Sequence, residues 1–166
     1  EIFNCLVLSP RRNHLRVSKE NLIWIKNKML PFADKTIKMV DKIFISRRKE
    51  EGRYLINEEE ISLLLSKKGY TKCYLDEYNL AQQISLFSNA TKIVGIHGAG
   101  FLNMIFAEKP NVVEIFSDMI HPFYYIIATT LNGEYSYVLG EASAETHAVK
   151  NRKSFYMNVT ELTNLE

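Results

Sequence analysis

Residues 92–103 constrain the fold more than any other part of the chain. An apolar run at residues 93–96 leads into a His-Gly-Ala-Gly turn at residues 97–100, and a second apolar run at residues 101–106 predicts a helix. In an α/β sheet, ligands bind where a strand ends and the next helix begins. Glycines there let the backbone approach a ligand, and the first N–H groups of the helix can bind an anion. The stretch therefore predicts a phosphate-bearing ligand in an α/β domain.

Strand and helix patterns alternate through the rest of the chain, which predicts an α/β fold with a mainly parallel sheet. The predicted strands are residues 5–9, 42–46, 71–75, 93–96, 112–116 and 135–139. The predicted helices are residues 19–30, 58–68, 80–90 and 122–131, and the third should bury Leu80, Ile84 and Phe87. Near the end, the pattern indicates a strand at residues 155–159 and a last helix capped by Thr160.

The ends of the second predicted helix carry specific signals. Asn57 is a favoured N-cap residue, and Glu60 follows it at the spacing of a capping box. Gly69 stands where a helix of this length would stop. We therefore expect a capped helix between Asn57 and Gly69.

Length and composition indicate one globular domain. The chain has 166 residues, of which 46% are hydrophobic and 24% charged, and its net charge of +2 is too small to imply a nucleic-acid partner. Cys5 and Cys73 lie in apolar runs and are predicted to be core residues. No apolar run reaches the length of a membrane span. Because the first residue is Glu1, we expect the chain to be a piece of a longer protein.

Three arginines follow the second predicted strand. A loop at the carboxyl end of this strand faces the same sheet edge as His97, and guanidinium groups bind diphosphates through paired hydrogen bonds. Arg47 and Arg53 are therefore candidate diphosphate ligands, whereas Arg48 should point away from its neighbour's face. The alternative is a solvated charged loop.

The turn at residues 97–100 matches neither common nucleotide motif. Asn103 stands where the dinucleotide fingerprint needs a third glycine, and the Gly-Lys-Ser/Thr ending of a P-loop is absent. His97 can donate to a phosphate or act as an acid or base. The candidates for ligand binding beside it are Gly98, Ala99, Gly100 and Asn103. The alternative is a turn that serves only to pack a strand against a helix.

Glu114 lies inside the apolar strand predicted at residues 112–116. A carboxylate in a strand that is covered on both faces is costly unless it is paired. Glu114 could bind ribose hydroxyls or pair with an arginine, and the alternative is an edge-strand glutamate that faces water.

Other chemistries lack their usual residues. His14, His121 and His147 show no metal-ligand spacing with cysteines or carboxylates, and the chain has neither a Gly-x-Ser-x-Gly elbow nor an Asp-x-Asp pair. We therefore predict no metal site. Four tyrosines are interpreted as core and rim packing rather than a stacking platform, namely Tyr124, Tyr125, Tyr135 and Tyr137.

Several short motifs occur in a fixed order along the chain. They are Ser46-Arg47, Arg53-x-x-x-Asn57-Glu58, Gln83-x-x-Leu86-Phe87, Gly95-x-His97-Gly98-Ala99-Gly100-x-x-Asn103, Phe106 and Val113-Glu114. This ordered set resembles the family 61 glycosyltransferases over about residues 42–139. The family includes bacterial enzymes of capsular-polysaccharide type and eukaryotic enzymes that transfer N-acetylglucosamine or xylose.

The resemblance implies a two-domain GT-B architecture with inverting chemistry and no metal. Residues 42–166 would be its C-terminal, nucleotide-sugar-binding domain, a Rossmann-like three-layer αβα domain with a mainly parallel sheet, and residues 1–41 would lead from an upstream domain. In this assignment Arg47 and Arg53 neutralise the diphosphate, the amides of residues 98–100 hold a phosphate oxygen, and His97 contacts the leaving phosphate or the sugar. Glu114 would hold ribose hydroxyls, and the general base would lie in the upstream domain.

The resemblance also implies partners and a cellular setting. The donor would be a nucleotide sugar, most simply a UDP-sugar, with a glycan or protein-glycan acceptor, no separate cofactor and no nucleic acid. The Lys-, Ile- and Asn-rich composition favours a bacterial cytoplasmic enzyme of surface or capsular polysaccharide synthesis, with peripheral membrane association of the full-length protein. A eukaryotic protein would lie in the secretory lumen. The alternative function is a non-catalytic α/β binding or interaction module.

Overall fold

The structure, a computed structural model, describes residues 17–48, 54–117, 120–146 and 153–163. The α-helices in these ranges are α1 (Lys19–Met29), α2 (Glu58–Lys67), α3 (Leu80–Asn89), α4 (Phe123–Thr130) and α5 (Val159–Thr163). The strands are β1 (Lys42–Ile45), β2 (Thr71–Cys73), β3 (Lys92–Ile96), β4 (Asn111–Phe116), β5 (Glu134–Leu139), β6 (Glu141–Thr146) and β7 (Lys153–Tyr156). Segments of 3-10 helix occupy Leu30–Phe32, Leu75–Glu77 and Ala99–Phe106.

The central sheet has five parallel strands in the order β2-β1-β3-β4-β5. The chain leaves β1 toward one side to form β2 and then crosses back to form β3 on the other side. The carboxyl ends of β1 and β3 therefore flank the point where the strand order reverses, which is the place where open α/β sheets bind ligands. The predicted α/β fold with a mainly parallel sheet is confirmed, and β6 and β7 form a separate antiparallel pair.

Alternate side chains of the strands point to opposite faces of the sheet and form two apolar cores. On the first face, α1, α3, α4 and the Ala99–Phe106 segment cover side chains such as Ile93 and Val112. On the second face, α2, α5 and β7 cover side chains such as Val94 and Val113. The sheet is thus covered on both faces, which explains the nearly continuous apolar runs in β3 and β4.

Helix α2 ends as the sequence predicts. Gly69 has a φ of +85°, a left-handed conformation that favours glycine. The Gly69 N–H donates to the carbonyl of Ser66 at 2.9 Å, and the Tyr70 N–H donates to the carbonyl of Leu65 at 3.0 Å. This pattern is a Schellman motif, and it directs the chain immediately into β2.

The capping box predicted at the start of α2 is wrong. Asn57 precedes the helix, but its Nδ2 donates to the carbonyl of Met157 at 2.8 Å and its Oδ1 accepts from the Met157 N–H at 3.1 Å. Glu60 accepts from Asn57 Nδ2 at 3.1 Å instead of reaching the backbone. Asn57 therefore ties α2 to the segment after β7, a long-range role that local spacing does not encode.

Four other local predictions differ from the structure. The apolar run at residues 101–106 is helical but of 3-10 type, and Leu80, in the first turn of α3, is 55% exposed rather than buried with Ile84 and Phe87. Thr160 lies inside α5, and the side chain of Asn158 accepts its N–H at 3.1 Å. The strand predicted at residues 155–159 is shifted to β7, whose partner β6 was not predicted.

Helix α1 packs against the first face of the sheet. Its Leu22 is buried in that core, and Lys26 donates to the carbonyl of Ala107 at 2.7 Å. The boundary at residue 41 stays a prediction, and the strand at residues 5–9, with Cys5, lies outside the described residues. None of the helices described is long and apolar enough to cross a membrane.

Candidate active site at the carboxyl edge of the sheet

Arg47 and Gly98 meet at the point where the strand order reverses. Arg47 follows β1 and Gly98 follows β3, two strands that pair directly. A Cβ atom added to Gly98 would lie 3.1 Å from both Cζ and Nη2 of Arg47. The guanidinium group therefore lies against the bare glycine backbone, so the structure brings two of the predicted site residues together.

The side chain of Glu114 supports His97 from inside the sheet. Nδ1 of His97 lies 2.5 Å from Oε1 of Glu114, and Oε2 of Glu114 accepts a hydrogen bond from the Tyr135 hydroxyl at 2.6 Å. Glu114 has no exposure, whereas the His97 side chain is 18% exposed. With its Nδ1–H directed at a carboxylate, His97 is held in one ring orientation with Nε2 facing away from Glu114.

Tyr135 stabilises this arrangement as a proton donor. Burial, together with the hydrogen bond to Glu114, raises the pKa of the Tyr135 phenol well above its ordinary value of 10.0. The phenol therefore stays protonated at physiological pH and keeps donating to Glu114. Tyr135 was predicted only as packing, and no local motif marks it because its role depends on the pairing of β4 with β5.

The alternative of an edge-strand glutamate is wrong, because β4 lies between β3 and β5. Both oxygens of Glu114 are occupied, by His97 and by Tyr135 rather than by an arginine. The geometry favours an orienting role for this carboxylate, and the ribose contact stays a prediction.

Aromatic rings enclose the imidazole of His97. The ring stacks with Phe116 at a centroid distance of 4.9 Å and with His121 at 5.4 Å, and Tyr124 lies 5.8 Å away in a tilted arrangement. These contacts restrict the ring further and exclude water from part of its surroundings. His121 looked isolated in the sequence but lies beside His97 in the fold.

The rest of the turn is tied to the β2–α3 connection. A Cβ atom added to Gly100 would lie 2.6 Å from Cδ1 of Leu75, so this close approach requires glycine. Asn103 donates from Nδ2 to Oε1 of Gln83 at 2.9 Å, and Gln83 donates to the carbonyl of Leu75 at 2.9 Å. Asn103 thus holds the turn in place, and its predicted ligand contact stays a prediction. Ala99 is exposed at the start of the 3-10 helix, where N–H groups lack partners within the helix.

The two neighbours of Arg47 differ in their contacts. Arg48 forms ion pairs with Asp76, at 3.0 Å, and with Glu77, and these hydrogen bonds raise the pKa of its guanidinium. It therefore points away from the turn, as the sequence predicts. Ser46 is buried on the opposite face and donates to Glu58. Arg53 lies outside the described residues.

Glu58 is a further polar centre that the sequence assigned only to the first turn of a helix. It accepts from Lys72 Nζ at 2.8 Å and from the Tyr74 hydroxyl at 3.2 Å, in addition to Ser46. Glu58 and Arg47 both line a polar cleft of about 480 Å³ on the β1 side of the edge. Glu58 directly follows Asn57 in the ordered motifs, and this position is the signal in the sequence that could have identified it.

A second, mostly apolar cleft of about 420 Å³ opens on the β5 side of the edge. We call it the aromatic cleft. Its walls are the start of α4 and the residues of β5 beside it, and its main lining residues are Ile120, His121, Pro122, Tyr125, Tyr135 and Tyr137. Tyr124 is buried, as predicted for packing, whereas Tyr125 and Tyr137 are half exposed.

Among the described residues, no three His, Cys, Asp or Glu side chains are grouped so that they could hold a metal ion. The predicted independence from metal stays a prediction. The polar groups at this edge are instead a cation, a histidine with a fixed orientation and the start of a helix, which together suit an anionic ligand.

Sequence comparison assigns the family. The profile of glycosyltransferase family 61 matches residues 3–113, which include Arg47 and the whole turn with His97. The chain belongs to glycosyltransferase family 61. Glu114 and Tyr135 lie beyond the matched residues, so the contact of Glu114 with His97 and that of Tyr135 with Glu114 come from the structure alone.

Relatives with established names support the family 61 assignment. The chain is 30% identical over 106 residues to the protein O-linked-mannose β-1,4-N-acetylglucosaminyltransferase 2 of Xenopus tropicalis. The matched region covers 59% of this chain and 18% of the frog protein. The chain is 31% identical over 85 residues to the human protein of the same name, covering 49% of the chain and 15% of that protein. The chain therefore spans less than a fifth of the length of these relatives.

Proposed function

We propose that this chain is the C-terminal, donor-binding part of an inverting, metal-independent glycosyltransferase with a GT-B architecture. The observation that carries the proposal is the meeting of Arg47, the glycine turn and a buried Glu114–His97 pair where the strand order reverses. A phosphate group is the ligand that suits a guanidinium, a helix start and an imidazole together. Family membership supports a nucleotide sugar as its source.

Charge stabilisation is the main task of the residues at this edge. During transfer, the acceptor oxygen bonds to the anomeric carbon while the bond from that carbon to the diphosphate oxygen breaks. Negative charge grows on the leaving nucleoside diphosphate, and donors that are already in place stabilise it most effectively. Arg47 and the amides at the start of the Ala99–Phe106 segment would supply these donors.

His97 would bind the leaving diphosphate through Nε2. Because Glu114 accepts from Nδ1–H, the ring is held with Nε2 directed away from Glu114, where an Nε2–H would donate to a phosphate oxygen of the ligand. The proton of the acceptor hydroxyl would go to a base in the upstream domain. In this scheme Glu114 positions His97, and Tyr135 positions Glu114.

The names of the relatives suggest the substrates and the setting. They support UDP-N-acetylglucosamine as the first donor to test and an O-linked mannose as the first acceptor. The frog and human relatives are vertebrate proteins, which favours the secretory lumen over a bacterial capsule pathway.

A binding and activity experiment tests the proposal. The full-length protein that contains this chain would be titrated calorimetrically with UDP, GDP, CDP and ADP, with magnesium and with EDTA. Sugar transfer from UDP-N-acetylglucosamine to a mannosyl peptide would be assayed in parallel. We expect metal-independent binding of one nucleoside diphosphate. If none binds to the full-length protein, the alternative of a non-catalytic α/β module replaces this proposal.

A further inference from the structure

The aromatic cleft is directly connected to the Glu114–His97 pair. Tyr135 lines the cleft and donates its hydroxyl to Glu114 at 2.6 Å. His121 also lines the cleft, and its ring stacks on His97 at 5.4 Å. A molecule in the cleft would therefore lie beside the imidazole that we assign to the leaving diphosphate.

The lining of the cleft is unusual for a solvent-facing surface. Tyr125 is 50% exposed and Tyr137 is 49% exposed, with Ile120 at 46% beside them. Grouped exposed apolar side chains commonly mark a binding site. Tyr and His rings present an apolar face and a polar tip, and Ser136 adds a hydroxyl to the lining.

This chemistry matches a sugar ring. A pyranose has apolar C–H faces, which stack on aromatic rings, and a rim of hydroxyls, which need a few polar partners. Ligand sites are typically apolar clefts with a small number of placed polar groups. A charged diphosphate would find little here, because the cations described at this edge, Arg47 and Arg48, lie on the β1 side.

The position of the cleft along the edge agrees with this match. Arg47 and Gly98 mark the diphosphate position at β1 and β3, whereas Tyr137 lies on β5, two strands from β3. Neighbouring strands are about 4.8 Å apart, so β5 lies about 10 Å from β3 across the sheet, with β4 and Glu114 between them. A sugar ring that is bonded to the diphosphate, or that attacks this bond, would therefore extend from the diphosphate position toward the aromatic cleft.

We propose that the aromatic cleft binds a pyranose ring next to the reacting bond. This inference rests on the proposed function and extends it to the substrate's sugar. The ring belongs either to the donor or to the acceptor, and the two sources share the chemistry that the cleft recognises.

The test uses the full-length protein with Tyr137→Ala and Tyr125→Ala, and with Tyr137→Phe to keep the ring while removing the hydroxyl. Tyr156→Ala is the matched control, because Tyr156 is 51% exposed on β7 and does not line the cleft. Calorimetry would measure UDP and UDP-N-acetylglucosamine binding, and transfer kinetics would give the KM of a mannosyl peptide.

We expect each alanine variant to weaken sugar recognition by about fivefold or more, while UDP affinity and the control stay unchanged. Weaker UDP-N-acetylglucosamine binding assigns the donor ring, and a higher KM for the peptide alone assigns the acceptor ring. Tyr137→Phe should retain most of the affinity.

Two results would overturn the inference while UDP still binds the wild-type protein. One is an equal loss of UDP and UDP-N-acetylglucosamine affinity, which would assign the cleft to the nucleoside. The other is no change in any constant. A wild-type protein that binds no nucleoside diphosphate would instead overturn the proposed function.

Discussion

Nδ1 of His97 lies 2.5 Å from Oε1 of Glu114, a carboxylate that has no exposure to solvent. A buried carboxylate is costly unless hydrogen bonds satisfy it, and here His97 and Tyr135 satisfy one oxygen each. The pair fixes the imidazole at the edge of the sheet where the glycine turn begins.

Glu114→Gln should reduce turnover much more than binding. The amide keeps the size of the side chain but not the negative charge, so the hydrogen bond that orients the imidazole of His97 becomes weaker. We expect kcat to fall by about a hundredfold, and the affinity for UDP-N-acetylglucosamine, whose diphosphate has not yet gained the leaving-group charge, to change by less than about threefold. Steady-state kinetics and calorimetry measure the two quantities separately. Glu134→Gln is the control, because Glu134 is exposed on β5 and pairs only with Asn111 among the contacts described. Equal turnover in both variants would contradict the orienting role.

Tyr135→Phe should change how stability depends on pH. The pKa of Tyr135 lies above its ordinary value of 10.0, so above about pH 10 the unfolded chain releases this proton while the folded protein keeps it. The contribution of Tyr135 to the free energy of unfolding is therefore fully present below about pH 10, and it decreases as the pH rises above that value. Urea unfolding between about pH 8 and 11 should show a smaller decline in the variant than in the wild type. Parallel curves would show that Tyr135 ionises normally in the folded protein.

Gly98→Ala should weaken UDP binding with little loss of stability. The added Cβ would lie 3.1 Å from Cζ of Arg47, and the flexible arginine end can move aside. We expect UDP affinity to fall by about fivefold or more, because the guanidinium leaves the turn. Ala142→Ser is the control, since Ala142 is exposed on β6, outside the central sheet. Unchanged UDP affinity in Gly98→Ala would show that the position of Arg47 against the turn is not needed.

Cys73 should resist thiol reagents in the folded protein. It is 1% exposed, and burial raises its pKa to about 11, so very little thiolate forms at neutral pH. The sequence has two cysteines, so the Cys5→Ser variant keeps only Cys73. Its labelling by a thiol reagent should therefore follow a single rate. Labelling should be slow in buffer and fast in urea. Fast labelling without denaturant would place Cys73 outside the core.

The fold was largely predictable because the chain alternates between two clear patterns. The apolar run before His97 and the apolar run around Glu114 are typical of strands, and both strands lie inside the sheet. The reversal of strand order between β1 and β3 is what brings Arg47 to Gly98. A motif search locates these two residues but not the contact between them.

The contacts that were missed are all long-range. Tyr135 reaches Glu114 because β4 and β5 pair in a particular register, and His121 reaches His97 because α4 starts beside the turn. Asn57 prefers the backbone of Met157, which lies a hundred residues later in the sequence, over the first turn of its own helix. Local spacing carries no information about such partners.

The most direct test of the proposed diphosphate site compares two adjacent arginines. Arg47 lies against the glycine turn, whereas Arg48 forms ion pairs with Asp76 and Glu77. Calorimetric titration of the full-length protein with UDP in EDTA would compare Arg47→Ala, Arg48→Ala and the wild type. If Arg47 binds the diphosphate, the affinity for UDP should fall by at least about tenfold in Arg47→Ala and hardly at all in Arg48→Ala. Equal affinities in all three proteins would contradict a diphosphate site at this edge of the sheet.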